Sequence, residues 1–116
     1  GVIEMKAVFL VLNKIELLDD VLKTFLDCGV RGATILNSTG MGGMLAGEVP
    51  LFASLGLALH EDRPYSYTIF AVMGESKVDS VIDAIDQCLD GLDKPDTGIL
   101  MVLPVERTVG LPRKNK

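Results

Sequence analysis

The chain has 116 residues, 48% of them apolar, no Trp, and a formal net charge of −5. A chain of this length forms one domain that buries roughly two thirds of the surface its unfolded form exposes, and the scarcity of aromatics makes the core aliphatic. The acidic balance argues against general nucleic-acid or anionic-membrane binding, which both need basic surfaces, and no run reaches the ~18 apolar residues of a spanning helix.

Lys6–Leu12 (KAVFLVL) is a continuous apolar run, short enough for a strand and apolar on both faces. Asn13 then offers an N-cap, with Glu16 where a capping box places it. Leu18, Val21, Leu22, Phe25 and Leu26 follow at helical spacing, with Asp19, Asp20, Lys23 and Asp27 on the opposite side. Gly29 is a natural end to that helix because it enters the left-handed conformation cheaply. Ala33–Thr39 reads as the second strand.

The stretch Ala33–Arg63 passes from this strand into a turn at Gly40, Gly42 and Gly43, then through about twenty residues that are neither polar linker nor long helix. Leu51, Phe52, Leu55, Leu57 and Leu59 make it too apolar for easy disorder. Tyr65–Met73 is a third strand, with Pro64 before it where its missing N–H does no harm. Ser76 and Asp79 repeat the capping pattern, and Val78, Val81, Ile82, Ile85 and Leu89 form an apolar stripe opposite Asp79, Asp83, Asp86 and Asp90. That acidic series is a solvated helix face. Gly91 ends the helix, Lys94–Asp96 turn around Pro95, Gly98–Pro104 is the fourth strand, and residues 112–116 form a frayed tail.

Cys28 and Cys88 sit singly in helical patterns and read as buried free thiols, which suits a reducing, cytoplasmic compartment; no signal peptide is visible. The only histidine, His60, precedes Glu61 and Asp62. A metal site needs three or four convergent ligands, so a polar turn is the expected role, and no metal is expected. No nucleophile–base or paired-acid spacing supports catalysis, and the chain is expected not to be an enzyme.

The order strand–helix–strand, long loop, strand–helix–strand is the split βαβ arrangement of an α+β, ferredoxin-like βαββαβ fold, with strands 1 and 3 central and both helices on one face. The two central strands are nevertheless apolar on both faces: Ala7, Phe9 and Val11 alternate with Val8, Leu10 and Leu12, and Ile69 and Ala71 with Phe70 and Val72. Leaving one set in water would expose a patch larger than soluble monomers usually carry. Either further copies of the chain cover it, making a homo-oligomer, or a strand from the long loop folds over it.

The segments KAVFLVLNKIELLDDVLKTFLDCGVRGATI, STGMGG and TGILMVLPVERTV together resemble the PII-like signalling proteins of nitrogen regulation, over nearly the whole chain apart from the loop. The resemblance implies a ferredoxin-like homotrimer and ligand clefts between subunits. It also implies that the inserted segment, residues 40–63, is a T-loop that touches a protein target such as a transporter or an enzyme. Members that bind adenine nucleotides carry a Gly–aromatic–Gly turn followed by arginine and glutamine; here Gly40-Met41-Gly42 keeps the glycines, but Gly43 and Met44 follow. Their Gly–Lys pair corresponds to Gly98-Ile99, and their two later arginines fall on Gly110 and Pro112, with Arg107 and Arg113 nearby but out of register. The tyrosine uridylylated in some members has no counterpart in the loop, since Tyr65 and Tyr67 lie on the third strand.

Each missing Arg–phosphate contact weakens binding by very roughly 1.5–3 kcal/mol, so tight polyphosphate binding is not expected. The glycine-rich turn can still form an anion nest from its backbone N–H groups. Thr39–Phe52 also resembles the branch that binds cyclic dinucleotides. The candidate ligand residues are therefore Thr39, Gly40, Gly42, Gly43, Gly98, Arg107 and Arg113, for an adenine nucleotide or a cyclic dinucleotide. For the three turn glycines, a tight turn that merely needs positive φ is the competing role. Pro50–Leu59 can form a short helix presenting Leu51, Phe52, Leu55 and Leu59. Two uses stand open for it: packing into the trimer's own cleft, or docking a partner as a helix in a groove. Two functions lead, a trimeric effector-binding regulator or a constitutive interaction module whose ligand site has decayed; a ferredoxin-like enzyme or amino-acid-binding domain is a third, weakened by the lack of a reactive constellation.

Overall fold

The computed structural model describes residues 4–41 and 65–111. The chain forms β1 (Met5–Leu12), a 3₁₀ turn (Ile15–Leu17), α1 (Leu18–Asp27), β2 (Ala33–Thr39), β3 (Tyr65–Gly74), α2 (Glu75–Cys88) and β4 (Gly98–Val105). The strands lie in the order β2-β3-β1-β4, and every neighbouring pair is antiparallel. This is the ferredoxin-like arrangement expected from the sequence, with β1 and β3 central.

Alternation divides the central strands between two faces. Val8, Leu10 and Leu12 of β1 and Ile69, Ala71 and Met73 of β3 point to the helices. There they pack with Val21 and Phe25 of α1 and Val78, Val81 and Ile85 of α2. Val8, Leu10, Leu12, Val21, Ile69, Val81 and Ile85 are completely buried, each contributing about 1.5–3 kcal/mol relative to exposure. Leu26, expected on the buried stripe, is instead 60% exposed. The helix fully buries only a narrow strip against the sheet, which Val21 and Phe25 occupy.

The helix starts depart from the expected capping boxes. Asn13 donates its backbone N–H to the Thr97 carbonyl (3.0 Å), and its own carbonyl accepts from Ile15 N–H (2.9 Å). The chain therefore makes its 3₁₀ turn first, and α1 begins only at Leu18, with no side-chain cap from Leu17. Ser76 likewise lies inside α2, which starts at Glu75 with extended Gly74 as its uncapped N-cap residue. Glu75 donates its N–H to the Glu4 carbonyl at 2.9 Å, fixing the helix to the start of β1. Long-range backbone bonds replace both local caps.

The helix ends follow the expected chemistry more closely. Gly29 has φ +84°, its N–H donates to Leu26 O (2.9 Å), and buried Val30 donates to Phe25 O (2.8 Å), the pair of bonds of a Schellman motif. In α2 the corresponding left-handed residue is Asp90 (φ 58°), one position before Gly91, which the sequence suggested as the stop. Asp90 donates to Gln87 O (3.1 Å) and Gly91 to Asp86 O (2.9 Å). The Asp90 carboxylate accepts from Lys94 Nζ at 2.8 Å, and the Asp86 carboxylate accepts from Leu92 N–H at 2.7 Å.

Lys77, in the first turn of α2, donates from Nζ to Gly29 O at the end of α1 (3.3 Å), so the two helices run antiparallel. Cys28 and Cys88 consequently lie at opposite ends of the helix pair, both free and half-buried. Eleven helical residues separate Cys88 from Lys77, about 16 Å of rise, well beyond the reach of a disulfide. Among the described residues, no helix is long and apolar enough to cross a membrane.

Candidate functional site

Direct pairing places four residues in one row across the sheet: Asn37 opposite Tyr67, Tyr67 opposite Leu12, and Leu12 opposite Gly98. Thr39 pairs with Tyr65 one step beyond. Thr39, Gly40 and Gly98 therefore share one end of the sheet. Gly98 is three strand spacings from Asn37, about 14 Å. Arg107 follows Val105, which pairs with Met5 at the opposite end. Seven residues of β4 separate the ends, roughly 23 Å, so within one copy Arg107 does not reach Thr39, Gly40 or Gly98.

Gly98 has a structural reason to be glycine. Its φ is +157°, and a Cβ there would stand 2.5 Å from the Val11 carbonyl oxygen on a central strand. Gly42, Gly43, Leu51, Phe52, Leu55, Leu59, Pro50, His60 and Arg113 lie outside the described residues. Among the described residues, no three His, Cys, Asp or Glu side chains converge as a metal site.

An open cleft of about 390 Å³ lies beside the β2–β3 end, lined by Ile15, Asn37, Ser38, Thr39, Tyr65, Ser66 and Tyr67. Asn37, Thr39, Tyr65 and Tyr67 share a sheet face through their direct pairing. The hydroxyls of Ser38 and Ser66 meet at 2.7 Å, and Thr68 donates to Ser38 Oγ at 3.0 Å. None of these described lining residues is an acid, a histidine, a lysine or an arginine. Of the residues around this cleft, only Thr39 was expected from the sequence as a ligand contact. The signal available was the pair of alternations Asn-x-Thr at 37–39 and Tyr-x-Tyr at 65–67, each placing two side chains on one face.

The face of the sheet away from the helices carries Ala7, Phe9 and Val11 of β1, Phe70 and Val72 of β3, and Ile99, Met101 and Leu103 of β4. The rings of Phe9 and Phe70 stack across the two central strands, centroids 5.0 Å apart and planes at 16°. Ile99 is 58% exposed, and Met101 and Leu103 are each above 40%. Leu36 on β2, paired with Thr68, extends the apolar surface to the other edge.

The fold has clear counterparts among solved structures. The crystal structure of Arabidopsis thaliana PII bound to citrate superposes with a TM-score of 0.62 at 21% sequence identity, over 88% of this chain and 78% of that one. The fold is PII-like. A functionally unknown protein from Pediococcus pentosaceus superposes with a TM-score of 0.65 at 18% identity, over 95% of this chain and all of that one. No protein-family model and no curated protein matches the sequence.

Proposed function

We propose that this chain is a PII-like signal-transduction protein, a cytoplasmic homotrimer without enzymatic activity. In this reading a small nucleotide-like effector binds in clefts between copies, and its occupancy is passed to a protein target through the 40–63 segment. The observation that carries the reading is the apolar sheet face that no described helix covers, with stacked Phe9 and Phe70 and exposed Ile99, Met101 and Leu103. A patch of this kind favours burial against further copies of the chain. The distance between Arg107 and the Thr39–Gly40–Gly98 end favours a site completed between copies. The PII-like fold, together with the citrate held by the Arabidopsis protein, supports a small-molecule effector.

Signalling then follows from differential binding of the effector to two states of the 40–63 segment. Calorimetry against adenine nucleotides and cyclic dinucleotides tests the effector. Heat of binding at micromolar to millimolar concentration is expected, and silence across the panel at millimolar concentration removes the nucleotide version.

The second reading, a constitutive interaction module, draws support from Ile99 and Gly110 standing where lysine and arginine would contact phosphate. Deleting Leu51–Leu59 separates its forms. Loss of the trimer means that the segment seals it, whereas an intact trimer that loses a co-purifying protein means that it docks a partner.

A further inference from the structure

We infer that the cleft formed by Ile15, Asn37, Thr39, Tyr65 and Tyr67 is a binding site for an uncharged, planar heteroaromatic ring of nucleobase or nucleoside size. The inference goes beyond the proposed function, whose effector site lies between copies, and rests on it only for the ligand's biological role; the described residues of the cleft belong to a single copy. Its volume, about 390 Å³, falls within the range of small-molecule sites. Tyr65 and Tyr67 are two residues apart on one strand and share a face, each opposite a hydrogen-bonding side chain: Thr39 faces Tyr65, and Asn37 faces Tyr67.

Phenol rings offer a flat apolar surface with a polar tip. The Asn37 amide offers a donor and an acceptor side by side, which matches the edge of a heterocycle. Ile15 supplies an apolar wall. Tyr67 is half-buried and packs against the core, so its ring is held in place, while Tyr65 is 66% exposed and leaves its ring accessible to a ligand. A ring seated here recovers stacking and edge hydrogen bonds without any charge partner.

The same lining sets the selectivity. None of the seven described residues that line it is Lys, Arg, His, Asp or Glu. A phosphate placed among them gains no counter-charge and loses hydration. The cleft therefore binds nucleosides at least as tightly as the corresponding nucleotides, the opposite of a site organised around phosphates.

The chain's two tyrosines both line the cleft and it has no Trp, so a sample labelled with ¹³C-tyrosine reports this site alone. Adenosine, guanosine, cytidine, their triphosphates and a neutral disaccharide are titrated into the full chain while both tyrosine signals are followed by NMR. Saturable shifts of both signals with at least one nucleoside are expected, with no gain from phosphates. Tyr65→Ala and Asn37→Ala, both at exposed positions, are each expected to weaken binding roughly tenfold, as the loss of a stacking or hydrogen-bonding partner implies. Dispersed amide spectra of the variants verify that they fold.

Unmoved tyrosine signals at millimolar nucleoside, a response to the disaccharide alone, or affinity rising tenfold with phosphates would each overturn the inference. Calorimetric heat from a nucleotide with unmoved tyrosines overturns the cleft and leaves the regulator reading standing. Nucleoside binding by a chain that proves monomeric does the reverse.

Discussion

Substituting Gly98 by alanine tests whether this position serves the fold directly. Gly98 opens β4 opposite Leu12, and the preceding residue, Thr97, accepts the Asn13 N–H at 3.0 Å. An added Cβ would lie 2.5 Å from the Val11 carbonyl oxygen and 3.5 Å from the Leu12 Cα, at a φ that side chains rarely adopt. The clashing atom is backbone on a central strand held by β3 on one side and β4 on the other, so it cannot give way as a side-chain tip would. Overpacking costs about 1–3 kcal/mol, and the backbone conformation adds about 1 kcal/mol, for a total near 2–4 kcal/mol. For a domain of this size each kcal/mol moves Tm by roughly 4 °C, so Gly98→Ala is expected to melt about 8–16 °C lower. Melting is followed by circular dichroism at fixed protomer concentration, because assembly makes Tm concentration-dependent. Gly32→Ala is the control: a Cβ added there would meet nothing within 4 Å, and its Tm should hold or rise slightly. A Gly98→Ala Tm equal to that of the wild type would refute the steric argument, leaving ligand contact as the reason for glycine.

Glutamate at the exposed open-face position Leu103 is expected to cost the single chain no more than about 0.5 kcal/mol yet to dissociate the assembly, which light scattering alongside urea denaturation distinguishes. The hydrogen bond and charge of Lys94 hold the Asp90 carboxyl below its ordinary 3.8, and Asp90 holds the Lys94 ammonium above its ordinary 10.5. The Asp90 contribution to stability is complete above the unfolded-state value and disappears as pH falls through the depressed folded value. That of Lys94 is complete below its unfolded-state value and disappears as pH rises through the raised folded one. Lys94→Met should return the Asp90 carboxyl toward 3.8 in an NMR titration; an unmoved titration would contradict the pairing. Lys77→Met removes a cation from the C-terminal end of α1 and should destabilise by about 0.3–1 kcal/mol in urea melts.

Local patterns carried most of the fold. The Ala33–Thr39 strand appears with the boundaries read from its residues, and the apolar positions Val21, Phe25, Val78, Val81 and Ile85 are the buried ones. Two-sided apolar character in β1 and β3 already pointed to a helix-covered face and a second apolar face that needs another cover. The failures have a common cause. Asn13 and Ser76 had the chemistry of caps, but the Asn13–Thr97 and Glu75–Glu4 backbone bonds join segments distant in sequence and set the helix starts instead. Asp90 takes the left-handed position ahead of Gly91 because aspartate tolerates that conformation, and Lys94 holds its carboxylate. The cleft stayed hidden for the same kind of reason. Nothing local says that Asn37 faces Tyr67, because that depends on the register between β2 and β3 across the long insertion. Of the candidate ligand residues, Thr39, Gly40 and Gly98 share one end of the sheet, whereas Arg107 lies at the other.

Burial of the apolar face opposite the described helices between copies is the central claim, and native mass spectrometry of the full chain at micromolar concentration measures it directly. A single species at three times the 12.5-kDa chain mass, lost on Leu103→Glu, is the predicted result. A stable 12.5-kDa monomer across the same concentrations would contradict the trimer and the intersubunit effector site together.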